Sequence, residues 1–419
     1  MRWASAVLVC SAALGQQPPP SVVAGIPVNY DEALVGNYTL PELGARDLKT
    51  WTTRRRPEIV RLFEDNEYGR APGRPAAMSF DVFDKGTPAL DGKALRKQVT
   101  IYFSADKAGP KMDLLLYTPA HAAKPAPLLL NLSFSANSST IGDPGIRPGE
   151  IWGRDHQRVP APQNNGRAIG RINPLPFLEH GIGVATIYYG DIDPDFAGGI
   201  PYGVRALYLK PGQTEPAPDE WGAIAAWGWG LSRAMDYLET DHAVDARRVA
   251  ILGVSRLGKT VMWAGARDQR FAMVIASCSG EGGAALSRRN YGETIAHLTA
   301  PGRYPYQFCA NYAKYAKAVD ELPVDAHMLV ALIAPRPLLL QTGDRDFWSD
   351  PKGEFLAAVA AEPVYKLYGK RSLGTDQMPA AGQPILHDIG YVMHAGGHGT
   401  VPSDWDVFLQ FMLQHFVTK

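Results

Sequence analysis

The sequence predicts an α/β fold in which a mostly parallel sheet is covered by helices on both faces, and three observations carry that prediction. Short, wholly apolar runs alternate with segments of helical spacing, as parallel strands buried on both sides require. One such run, residues 248–254 (RVAILGV), passes through Gly253 to Ser255 and directly into a helical segment. A glycine-rich stretch from His394 to Thr400 precedes the last amphipathic segment.

Taken in order, residues 99–103 and 114–117 alternate or cluster as strands, and 127–132 (PLLLNL) is a short buried-strand run. Residues 183–189 (GVATIYY) form another. From 221 to 238 apolar residues recur at helical spacing and end at the acidic Glu239 and Asp241. Strand 248–254 is followed by a helix over 257–267, then by strands at 271–277 (FAMVIAS) and 337–341 (PLLLQ). Residues 401–417 close the chain as an amphipathic helix. The stretch 137–173, rich in Pro, Gly and Asn, reads as a long surface loop of the kind that shapes binding sites.

The 42 basic and 42 acidic residues cancel, which argues against nucleic acid or an anionic membrane as the main partner. With 9 Trp, 18 Tyr and 14 Phe the chain has ample material for a core, so disorder is excluded. Its start reads as an export signal: Arg2, an apolar run from Trp3 to Leu14, and small residues Ala13 and Gly15 before a cut ahead of Gln16. That run is too short to span a bilayer, which takes about twenty residues. The mature protein is therefore expected to be exported, secreted or periplasmic, with no membrane anchor. Of the 3 cysteines, Cys10 lies in the leader, while Cys278 and Cys309 can pair or remain buried thiols. Residues 1–15 are the expected signal peptide, 16–89 an N-terminal extension packed on the core, and 90–419 the main α/β domain with a loop insertion near 137–173.

The sharpest local signal is the run from Ile251 to Lys259, ILGVSRLGK. A serine on a tight strand-to-helix turn exposes its hydroxyl above the sheet edge, beside helix N-terminal amides able to stabilise an oxyanion. The usual pattern is G-x-S-x-G, whereas here the second glycine, Gly258, sits one residue later. A simple serine N-cap is the other reading of Gly-x-Ser. A nucleophilic serine needs a base and an acid that orients it, in the chain order Ser, Asp or Glu, His. His398 is the candidate base, with His394 as alternative. Two acids compete. Asp346 follows strand 337–341, and Glu281 (SGEGG) follows the strand before it.

GVSRLGK, SGEGG, TGDRDFWSDP and the GGHG loop together resemble the glucuronoyl esterases, carbohydrate esterase family 15, in motif order over roughly residues 90 to 419. The resemblance implies an α/β-hydrolase fold, a three-layer sandwich, that needs no metal or cofactor and hydrolyses esters between (4-O-methyl)glucuronic acid on xylan and lignin alcohols. It makes Ser255 the nucleophile and His398 the base, and points the Arg256 guanidinium at the developing oxyanion. It assigns Lys259 and Glu293 to the sugar hydroxyls and Trp348 to the sugar through an indole N–H or flat face. Val254 and Leu257 stand where fungal members carry cysteine and asparagine, so the chain resembles the bacterial branch. In that branch the acid follows either strand, which leaves Glu281 and Asp346 both open. The segment from Asn131 to Asn137 corresponds to the loop near the oxyanion site. Another carbohydrate esterase, such as an acetylxylan esterase, and a non-catalytic carbohydrate-binding homologue are the alternatives; a monomer is expected.

Overall fold

The computed structural model describes residues 20–162 and 171–417. The expected signal peptide lies outside the described residues. Ten strands form the central sheet: β1 Ser79–Ala89, β2 Ala94–Tyr102, β3 Lys111–Pro119, β4 Ala126–Ser133, β5 Gly183–Tyr188, β6 Val244–Val254, β7 Met273–Ser277, β8 Leu338–Gly343, β9 Ile385–Leu386 and β10 Ile389–His394. Their spatial order is β9-β10-β8-β7-β6-β4-β5-β3-β2-β1. Strands β5, β4, β6, β7, β8 and β10 run parallel. Strands β3, β2 and β1 add antiparallel at one side and β9 at the other.

Alternation within each parallel strand feeds two separate cores. Ile251 of β6, Leu128 and Leu130 of β4, Val274 of β7 and Leu340 of β8 point into one. Leu252, Leu129, Ile275 and Leu339 of the same strands point into the other. The first face is covered by helices α1 Arg56–Asn66, α2 Ala223–Leu238, α3 Arg256–Arg267, α4 Ala326–Ile333 and α5 Pro351–Ala360. The second is closed by α6 Pro402–Phe416, which inserts Phe408, Phe411 and Met412. Two-sided cover lets these strands carry apolar residues at every position, and it makes the three-layer α/β-hydrolase sandwich.

The structure departs from the sequence reading in three places. Strand β1, assigned with the N-terminal extension, pairs along β2 in the main sheet. Its polar alternation hides it, because an edge strand buries little. His394 ends strand β10, whereas the stretch His394–Thr400 reads as loop throughout. Cys278 and Cys309 are both free and buried, so the pairing the sequence left open is not made. Among the described residues no helix is long and apolar enough to cross a membrane.

Candidate active site

Register along the parallel strands aligns their carboxyl ends, where loops from different strands converge. Val254 pairs with Ser277, Ser277 with Gln341, and Gly343 with His394. Ser255, Cys278, Asp346 and His398 therefore leave the same edge of the sheet within a few residues of those pairs.

Ser255 sits between β6 and α3 with φ 59° and ψ −128°, a left-handed conformation unusual for a residue with a side chain. The turn needs glycine on both flanks. A Cβ on Gly253 would lie 2.1 Å from the Leu257 carbonyl oxygen, and one on Gly258 would lie 2.7 Å from that of Ser277. The displaced second glycine thus serves the close approach of α3 to β7, which a G-x-S-x-G spacing would place one residue earlier. The N-terminus of α3 opens directly after the serine, so its amides and dipole face the hydroxyl.

The His398 Nδ1 lies 2.8 Å from Asp346 Oδ2 and 3.3 Å from Ser349 Oγ. Burial opposes ionisation of Asp346, but hydrogen bonding and positive charge from His398 outweigh it and hold the carboxyl below its usual range. Glu281, the rival acid, is placed elsewhere. Its carboxylate accepts hydrogen bonds from Ser287 Oγ and Tyr312 OH, each at 2.7 Å, in a buried pocket where desolvation raises its pKa to about 7. Two residues, Ser279 and Gly280, separate Cys278 from Glu281, and its carboxylate is engaged by Ser287 and Tyr312, not by His398. The alternative base His394 is also committed: its Nδ1 lies 2.9 Å from Asp404 Oδ2 and its Nε2 2.9 Å from the Gly397 carbonyl.

A cavity of about 190 Å3 gathers Ser255, Arg256, Lys259, Glu293, Asp346, Trp348 and His398 in its walls. Lys259 Nζ donates to the Ser279 carbonyl at 2.8 Å and approaches Glu293 at 3.4 Å. Glu293 is also met by Arg303 at 3.5 Å. Arg256 Nη1 donates to Asp195 at 2.5 Å, and its guanidinium stacks 4.7 Å from the Tyr304 ring. Burial disfavours the charge on Arg256, but Asp195 prevails and keeps it protonated. Asp195 is itself held by Tyr306 OH at 3.0 Å and Gln307 Nε2 at 2.7 Å, so the cation is fixed before any substrate arrives. Trp348 meets His297 edge-on at 5.3 Å and keeps part of its ring on the cavity.

The sequence reading missed Asp195, Ser349, Arg303 and Tyr304. Asp195 had a weak signal, as the third acid of the segment DIDPD that follows the parallel strand β5 and one short helical turn. Arg303 and Tyr304 lie in an irregular segment with no periodicity to mark them.

Beneath the site, Glu354 of α5 is fully buried. Its Oε1 accepts from Gly280 N–H at 2.7 Å and Ser279 Oγ at 2.9 Å, while Oε2 meets no protein donor. Burial raises its pKa from the ordinary 4.5 to about 8. A folded-state value above the unfolded one gives stability that is fully present below about pH 4.5 and is lost as pH rises through about 8. Glu354→Gln keeps the accepting oxygen without a titrating group. Its melting temperature is expected to climb relative to wild type by several degrees between pH 5 and pH 8. A constant difference across that range, measured by calorimetry, would count against the buried proton.

A serine above a parallel sheet, a histidine bonded to an aspartate and an anchored cation beside the serine are the features of an ester hydrolase of the α/β-hydrolase class. Comparisons with known proteins narrow the class. Residues 216–369 match the family model described as glucuronyl esterase, fungi. A carbohydrate esterase from an unknown prokaryotic organism is 42% identical over 98% of this chain and 97% of its own length. A glucuronoyl esterase structure from Solibacter usitatus superposes with a TM-score of 0.88 at 49% identity, covering 92% of this chain and 100% of that one. A structure described as a promiscuous CE15 esterase from a marine bacterial metagenome gives a TM-score of 0.83 at 42% identity, over 93% and 100% of the two chains. The chain belongs to the glucuronoyl esterases, carbohydrate esterase family 15, and is a carboxylic ester hydrolase.

Proposed function

We propose that this enzyme hydrolyses the ester between a (4-O-methyl)glucuronic acid side chain of glucuronoxylan and a lignin alcohol, through a glucuronoyl-serine intermediate. The observation that carries the reading is one cavity in which Ser255 and the His398–Asp346 pair share walls with the polar set Lys259, Glu293 and Trp348. An acetyl group has no use for a buried lysine and glutamate, whereas a uronic acid ring offers hydroxyls to both.

In this reading Ser255 attacks the uronate carbonyl as His398 Nε2 takes its proton, and Asp346 holds the imidazole through Nδ1. Negative charge then develops on the carbonyl oxygen, where the α3 amides and the Arg256 guanidinium meet it. The alcohol departs with the proton from His398, and water releases the glucuronate by the same route. A groove of about 820 Å3 opens from His398 between Leu90, Pro174, Phe177 and Trp405, giving a bulky alcohol an exit beside its proton donor.

Methyl and benzyl glucuronate esters tested beside acetylated xylan decide the acyl preference. Turnover of the uronate esters is expected, and turnover confined to acetylated xylan would replace this proposal with an acetylxylan esterase. Arg256→Ala is expected to lower kcat by about 10²–10³-fold with a smaller change in KM, the signature of a contact made in the transition state. A loss confined to KM would make Arg256 a ground-state binding residue.

Residues 1–15 are taken as the signal peptide and 90–419 as the catalytic domain, with the protein secreted or periplasmic and acting as a monomer. N-terminal sequencing of exported protein should begin at Gln16.

A further inference from the structure

Cys278 has no part in the hydrolysis described above, yet it stands at its centre. Its Sγ, a carboxylate oxygen of Asp346 and a ring nitrogen of His398 all lie within 4.8 Å of one another. We propose that these three residues form a binding site for a divalent cation of Zn2+ character, and that its occupation switches the esterase off.

The donor set supports that choice. Thiolate, imidazole and carboxylate are the protein ligands of zinc, and three of them with a fourth position open to water make a common zinc site. Hard cations such as Mg2+ and Ca2+ take oxygen donors, so they are poorly served by the sulfur and nitrogen here. The three ligands come from the ends of different strands of one rigid sheet, β7, β8 and β10, so little ordering is needed to bring them together. One donor already faces the sulfur, the Gly399 amide N–H at 3.3 Å, while burial and the neighbouring Asp346 push the thiol well above its ordinary range, so it gives up its proton only to a bound cation. Access exists as well. The His398 side chain is 40% exposed, and Cys278 lines the same cavity as Ser255.

Proton balance explains the inhibition. On binding, the Cys278 thiol gives its proton to solvent and the sulfur bonds the metal. Metal takes His398 at Nδ1, the nitrogen that faces Asp346, and the ring proton moves through solvent to Nε2. With Nε2 protonated the imidazole cannot accept the proton of Ser255, and the orienting contact to Asp346 is lost at the same time. No redox change is involved.

Two measurements on the protein from Gln16 onward, which lacks Cys10, test the site. In the first, Cd2+ is titrated into the Ser255→Ala protein and the ultraviolet sulfur-to-cadmium charge-transfer band is followed. One equivalent of band is expected, absent from a Ser255→Ala/Cys278→Ser double variant, in which Cys309 is still present as a control thiol. In the second, Zn2+ inhibition is measured on a methyl glucuronate or simple aryl ester. Wild type is expected to be inhibited and restored by a chelator, and Cys278→Ser should need more than about tenfold more Zn2+ for the same loss. A band that persists in the double variant, or equal Zn2+ sensitivity with and without Cys278, overturns the proposal. Should Cys278→Ser lower basal turnover, the cadmium band decides alone. Because that band is read without turnover, failure of the glucuronate substrate assignment leaves this test standing.

Discussion

Ser255→Ala is expected to cut kcat on a methyl glucuronate ester by about a millionfold while the protein stays folded. The size of the loss follows from the chemistry at this position. Without the hydroxyl there is no covalent intermediate, and the only remaining route is direct attack by water. The oxyanion donors and Arg256 still accelerate that route by about 10³–10⁴ over solution, so the residual rate is small but not zero. Folding should tolerate the change, since alanine can hold the left-handed turn no worse than serine and the helix behind it is anchored by Gly258 against β7. Single-turnover kinetics with a chromogenic uronate ester would measure it. Activity close to wild type would remove Ser255 from the mechanism.

The second large effect separates the two acids. Asp346→Asn is expected to lower kcat by about 10⁴-fold, because the asparagine amide presents N–H to His398 Nδ1 and favours the tautomer whose Nε2 already carries a proton. The 2.8 Å contact between Asp346 and His398 is what makes the substitution so costly. Glu281→Gln should leave kcat near wild type. Its carboxyl is engaged with Ser287 and Tyr312, and glutamine can still accept from both while removing a buried titratable group. Parallel kcat measurements on the two variants give the answer. Equal losses, or a larger one at Glu281, would reverse the assignment.

Both acids follow parallel strands, and both looked equally well placed while only the chain order was known. Position along the sequence tells which loop a residue occupies, but not which way the loop turns its side chain. Asp346 reaches His398 because Gly343 pairs with His394 across β8 and β10, which puts the two loops side by side. Glu281 lies four residues beyond the end of its strand, after the left-handed Cys278 and Gly280 have redirected the backbone. Asp195 shows the same limit. It is 61 residues from Arg256 in sequence, and only the fold reveals that it holds the guanidinium in place.

The sequence by itself determined the layered α/β architecture, the strand-to-helix turn at Ser255 and the histidine loop before the last helix. Each of these is written in local pattern, as apolar runs, glycines at a tight turn and amphipathic spacing, and local pattern survives without knowledge of the partner strands. Only the tertiary structure decided which acid meets His398, which acid anchors Arg256, and that Cys278 comes within reach of the Asp346–His398 pair. Those contacts join strands and loops far apart in the chain, and they depend on the register of a sheet whose neighbours no single segment specifies.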